Sequence, residues 1–152
     1  CGGAGPKNAA CHGNGDGSGV IFAIDPAAAP GSTGAYGVVY SFQAGSTTDG
    51  ALPYGSLMYD GTYLYGTTSA GGSYGKGTVF RFAPVAPGSS ATVSLLYEFG
   101  GKANDGIKPI DNVVKVGNTL YGMTVYGGVP GPSPDDPGVN GNGTIFAIPL
   151  PN

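Results

Sequence analysis

Gly77-Thr78-Val79-Phe80-Arg81-Phe82 decides how this chain folds, because its pattern recurs on either side. It is preceded by Gly19-Val20-Ile21-Phe22-Ala23-Ile24 and followed by Gly143-Thr144-Ile145-Phe146-Ala147-Ile148. Val79 and Arg81 alternate with Phe80 and Phe82, which is the period of a strand. Other landmarks recur in the same order. Tyr40-Ser41-Phe42 returns as Tyr97-Glu98-Phe99, and Asp49-Gly50 with Pro53 returns as Asp105-Gly106 with Pro109. Leu64-Tyr65-Gly66-Thr67-Thr68 with Gly71-Gly72 returns as Leu120-Tyr121-Gly122-Met123-Thr124 with Gly127-Gly128. Ordered self-similarity of this kind marks a repeat architecture.

Each unit reads as four short strands. In the second unit they fall at 77–82, near 92–99, near 109–116 and near 118–125, with a Pro, Ala, Gly and Ser loop over 83–91. Val116-Gly117-Asn118-Thr119 joins the last two, and its counterpart Tyr59-Asp60-Gly61-Thr62 carries the Asp-Gly hairpin signal. Connections this short make antiparallel neighbours, because a parallel crossover needs about a dozen residues. The expected fold is all-β: two tandem four-stranded antiparallel meander units, propeller-blade-like, plus one unmatched strand, about nine strands in all. The expected organisation is a Gly-rich segment with a cysteine pair over 1–18, a first unit over 19–76, a second over 77–142, and an extra terminal strand over 143–152.

Composition narrows the classes. The 152 residues include 31 Gly and 13 Pro. Glycine at this density disfavours a helical bundle, at ~1 kcal/mol for each helix-interior site. The glycines do not fall at every third position, which excludes collagen. Net charge is −3, and six Lys and Arg without a cluster cannot neutralise a nucleic-acid backbone. No apolar run is long enough to cross a bilayer as a helix. Ten Tyr and no Trp, with Thr and Ser, describe half-buried strands with uncharged polar outer faces, as extracellular and cell-surface proteins carry.

Leu64 to Gly72 followed by Gly77-Thr78-Val79-Phe80 resembles the bacterial GloVer tandem repeat family. Tyr40-Ser41-Phe42, Asp49-Gly50 and Pro53 extend the likeness, which runs over residues 19–148. The resemblance implies an exported or surface protein of blade-like β units and brings no enzymatic activity with it. The outer copies depart from the pattern by inserting residues 4–18 and 129–142 where the middle copy has only 73–76.

Cys1-Gly2-Gly3 aligns with Ala70-Gly71-Gly72, so one strand of the chain is unmatched, either 19–24 or 143–148. An apolar strand edge without a partner is covered or used. Either the odd strand folds back on its own chain, or it completes a sheet in a neighbour. The expectation is a structural protein whose copies join head to tail by strand complementation into a fibre or ring. Val20, Ile21, Phe22 and Ile24 would form one side of that contact, and Ile145, Phe146 and Ile148 the other. The alternative is a carbohydrate-binding surface module using Tyr54, Tyr59, Tyr63, Tyr65, Tyr74, Tyr121 and Tyr126 as stacking faces.

Chemistry-bearing groups are sparse. Cys1 and Cys11 form a disulfide, or Cys1 is lipidated, or both are free thiols. Asn8-Ala9-Ala10-Cys11-His12 resembles a haem-attachment motif lacking its first Cys, and His12, the only histidine, excludes multi-histidine zinc sites. Asp16 within Asn14-Gly15-Asp16-Gly17-Ser18, and Asp135-Asp136 with Asn140 and Asn142, are weak calcium candidates against an ordinary turn role. Asp49 and Asp105 read as turn residues, with a glycosidase-type carboxylate pair as the rival. No catalytic constellation and no cofactor is expected.

Overall fold

The computed structural model describes residues 17–43, 47–129 and 141–151. The readings built on Cys1, Cys11, His12, Asp16, Asp135 and Asp136 lie outside those residues. The described chain is all-β. Its strands are β1 (Val20–Ile24), β2 (Tyr36–Ser41), β3 (Gly50–Ala51), β4 (Met58–Tyr59), β5 (Leu64–Thr68), β6 (Ala70–Gly71) and β7 (Thr78–Phe82). They continue with β8 (Ser94–Glu98), β9 (Gly106–Ile107), β10 (Val114–Val116), β11 (Thr119–Thr124), β12 (Tyr126–Gly127) and β13 (Thr144–Pro149).

Antiparallel pairing groups nine of the strands into three blades. The middle blade is four-stranded in the order β4-β5-β7-β8, the first blade is β1-β2, and the last is β10-β11-β13. These account for the expected nine strands. Since β5 pairs with β7, the hydrogen-bonded sheet runs straight across residues 76 and 77, out of phase with the units read from the sequence. By position in the repeat, β1, β7 and β13 are equivalent, as are β2 and β8. Among the described residues the first blade therefore holds the last two strands of a blade, and the last blade holds the first three.

Two-residue strands staple the blades together. β3 pairs with β6, and β9 with β12. Beside each staple the backbone turns left-handed at a non-glycine residue, Leu52 (φ 59) and Lys108 (φ 61), immediately before Pro53 and Pro109. The turn has a consequence for pairing. The Leu52 N–H donates to the Ser18 carbonyl at 2.7 Å while its carbonyl accepts from Ser69, so one residue bonds to two blades. Lys108 does the same between Lys76 and Val125. The closeness needs glycine opposite the proline: a Cβ on Gly77 (φ 103) would lie 2.4 Å from the Thr68 carbonyl oxygen and 2.7 Å from Pro109 Cδ.

The strand expected near 109–116 pairs only over Val114–Val116. Pro109 has no N–H to give a ladder, and it follows a left-handed residue. The Asp60-Gly61 hairpin is closed by the Asp60 N–H, which donates to the Tyr63 carbonyl at 3.2 Å across Gly61 and Thr62. Tyr59 pairs with Leu64, and the Asp60 carboxylate organises the loop by accepting the Thr62 and Tyr63 N–H groups, each at 2.9 Å.

Two apolar cores lie between the blades. Ile21, Val39 and Phe42 of the first blade pack on Phe80 and Phe82 of the middle blade. Tyr65, Val79 and Phe99 of the middle blade pack with Leu120 and Ile148 of the last, and Phe146 joins them. Burying a side chain of this size is worth about 1.5–3 kcal/mol. The middle blade is covered on both sides, so β7 is buried almost throughout, whereas β1 and β13 alternate.

Candidate functional site

Asp49 and Asp105 are the first carboxylates to place. Asp105 Oδ1 and Oδ2 both accept the Tyr97 hydroxyl at 3.0 Å. Oδ2 also takes the Gly100 N–H and Oδ1 the Gly106 N–H, each at 2.9 Å. Asp49 repeats the arrangement with the N–H groups of Gln43 and Gly50, at 2.9 and 2.8 Å. The repeat in the sequence is thus a carboxylate clamp, which fastens the end of a Tyr-x-Phe strand to the staple that follows. Burial, then the Asp49 charge and hydrogen bond, push the Tyr40 hydroxyl up to about 12. Burial, then the hydrogen bond to Asp105 and its charge, do the same for Tyr97.

Asp60 joins two blades. Its Oδ2 lies 2.6 Å from Lys115 Nζ on β10 and accepts the Tyr65 hydroxyl at 3.0 Å. The Lys115 bond, followed by the Tyr63 and Thr62 N–H groups, holds this carboxyl well below the usual carboxylate range. A second link is the Thr67 hydroxyl, which donates to the Asp111 carbonyl at 2.7 Å.

The seven residues expected at an assembly contact divide by environment. Ile21 and Ile148 are buried in the two cores, Val20 and Phe146 are half-buried, and Phe22, Ile24 and Ile145 are exposed. Among the described residues β1 is hydrogen-bonded only to β2, and β13 only to β11. In the middle blade both edges of β7 are taken, by β5 and by β8. Beside the open edge of β1 lies a cavity of about 370 Å³ lined by Val20, Phe22, Pro53, Leu57 and Phe80.

Several exposed apolar residues escaped the sequence reading, and Tyr121 entered it only as a sugar-stacking candidate. Tyr36 and Val38 share a face with Phe22, whose ring lies 5.7 Å from that of Tyr36. Val114, Tyr121 and Met123 are exposed on the last blade with Ile145. Their alternation along β2, β10 and β11 is the signal that could have found them.

The tyrosines considered for sugar stacking divide by environment. Tyr65 is buried, Tyr63 lies beneath the Arg81 guanidinium at 4.6 Å, and the Tyr59 hydroxyl donates to the Gly61 carbonyl. Tyr54, Tyr74, Tyr121 and Tyr126 are exposed. Among the described residues no group of three His, Cys, Asp or Glu could hold a metal ion, and no helix is long and apolar enough to cross a membrane.

Blades that share one core pattern, one clamp and one staple define a β-repeat protein of stacked sheets. The model of the Gloeobacter/Verrucomicrobia repeat matches residues 9–152, and the chain belongs to that family. No curated protein and no solved structure matches it.

Proposed function

We propose that this chain is a structural module of the cell surface or extracellular space whose copies join head to tail. The observation that carries the reading is the open strand edge on the first and on the last blade among the described residues. The first blade has two strands and the last has three, and each leaves a strand of the Gly-x-(Val/Ile)-Phe type with one edge unpaired among the described residues. Unpaired edges template further pairing. The open edge of β13 would receive the open edge of β1 from the next copy, and the apolar cavity beside β1 gives that strand a place to seat. The charge-poor composition, with its many glycines and tyrosines, suits a secreted or surface protein.

Sedimentation velocity across a concentration series, with negative-stain imaging of the same samples, tests this reading. Mass rising with concentration, together with rings or fibres of repeating subunits, is the expected result. A chain that stays monomeric up to the highest soluble concentration overturns it.

A second reading, a carbohydrate-binding surface module, has one observation in its favour. A surface cavity of about 340 Å³ is lined by Tyr74, Tyr97, Glu98 and Lys102, which joins aromatic faces to hydrogen-bonding groups. Glycan binding by a monomer, lost in Tyr74→Ala, would favour it.

A further inference from the structure

The two cores are copies of one interface. Between the first and middle blades the Phe42 ring meets Phe80 edge-on, at 5.5 Å and 64°. Between the middle and last blades Phe99 meets Phe146 in the same way, at 5.1 Å and 64°. Tyr40 stands edge-on to Phe42 at 5.1 Å as Tyr97 does to Phe99 at 5.0 Å. By repeat position Phe42 equals Phe99, and Phe80 equals Phe146. Each blade therefore offers its successor one face, centred on Ile21 or Val79. The successor answers with the opposite face, centred on Phe80 and Phe82 or on Phe146 and Ile148.

Among the described residues that rule leaves one face of each kind uncovered. Phe22 is the first blade's equivalent of Phe80, yet it is 54% exposed where Phe80 is 1%. Ile145 is the last blade's equivalent of Val79, yet it is 80% exposed where Val79 is 0%. Tyr36, Val38 and Ile24 extend the first face, and Val114, Tyr121 and Met123 the second. A face of each kind is what the chain already joins twice internally, and because the two faces are different patches the contact between copies is heterologous.

We infer that a second copy of this chain stacks its first blade on the last blade of its neighbour, Phe22 against Ile145, repeating the internal interface between molecules. The inference rests on the head-to-tail reading and places the contact on blade faces in place of strand edges. Apolar residues at the centre of such a contact dominate its strength, and a charge there weakens association by about 30-fold or more.

The test uses two full-length variants, Phe22→Asp and Ile145→Asp, with Tyr36→Asp and Met123→Asp as substitutes should either fail to keep the wild-type near-ultraviolet circular dichroism. Each variant alone should sediment as a monomer where the wild type associates. Mixed in equal amounts they should form a dimer and nothing larger, because the mixture holds one intact face of each kind that can meet. Wild-type-like assembly in both single variants overturns the face contact while leaving head-to-tail joining by edges intact. Monomeric variants whose mixture does not dimerise overturn it too. A wild type that never associates overturns both.

Discussion

The Tyr97 hydroxyl donates to both carboxylate oxygens of Asp105, at 3.0 Å each, across the turn that carries the chain from one blade to the next. The same carboxylate holds the Gly100 and Gly106 N–H groups, so one side chain organises a strand end, a turn and a staple strand. Removing the acceptor leaves several donors short of partners at once, and a single unsatisfied buried donor costs about 1–3 kcal/mol. Asp105→Ala should therefore lower unfolding free energy by about 2–4 kcal/mol, and Tyr97→Phe by about 1 kcal/mol. Urea denaturation of the three proteins measures both. Equal losses would mean that the phenol, rather than the backbone donors, carries the clamp.

The two clamped phenols also make stability depend on alkaline pH. Tyr40 and Tyr97 lie near 12 in the folded chain against an ordinary 10.0, so folding favours their protonated forms. Below the ordinary value both states keep their protons and this contribution is fully present. As pH rises past it the unfolded chain ionises first, and the contribution falls until it is lost on passing the folded value. The urea midpoint should decline over that window, and the decline should flatten in a Tyr40→Phe, Tyr97→Phe double variant. Ultraviolet titration of the folded wild type should show two tyrosines ionising last. A double variant that tracks the wild type would assign the alkaline loss elsewhere.

Gly77 and Gly61 have nearly the same backbone, at φ 103 and φ 98, and opposite surroundings. A Cβ on Gly61 meets nothing within 4 Å, whereas on Gly77 it collides with Thr68 and Pro109. Gly61→Ala carries only the left-handed penalty, about 1–2 kcal/mol. Gly77→Ala adds an overpacking cost of about 1–3 kcal/mol, because blade and proline must separate. Paired denaturation curves should rank Gly77→Ala below Gly61→Ala. The reverse order would show that the staple has room to move.

The strands of this fold were legible because Gly-x-(Val/Ile)-Phe and Leu-Tyr-Gly-x-Thr carry both motif and alternation. Their grouping into sheets was not, since a periodic sequence can be cut at any point in its period. Only the pairing of Tyr65 with Arg81 and of Gly66 with Phe80 fixes where a blade begins. The staples were invisible for another reason: Gly50–Ala51 and Ala70–Gly71 are too short to show alternation. The candidate surface was half legible. Val79 and Ile145 occupy one position of one motif, but the first is buried and the second exposed. Strand chemistry is local, whereas burial depends on what packs against the strand's face.

Lys115 on β10 is the cation that ties the last blade to the Asp60 loop of the middle one, at 2.6 Å. Surface ion pairs commonly contribute little, because two long side chains must be ordered to make them. Here the ordering is already done on one side. The Thr62 and Tyr63 N–H groups and the Tyr65 hydroxyl fix the carboxylate, and only the lysine remains to be placed. Asp60 is held below its ordinary value of 3.8, with the Lys115 bond as the largest cause. Above that value the carboxyl is ionised in both states and its contribution is whole. As pH falls, the unfolded chain takes up the proton first, and the contribution is lost as the folded value is approached. The urea midpoint of the wild type should therefore drop on acidification from about pH 5 downward. In Lys115→Met the drop should be shallower and the neutral-pH midpoint slightly lower, whereas Asp60→Ala should lose the loop's own hydrogen bonds as well and fall further. If the acid limb of Lys115→Met overlays that of the wild type, the backbone donors alone set the behaviour of Asp60, and the blades are joined by their apolar cores without help from this pair.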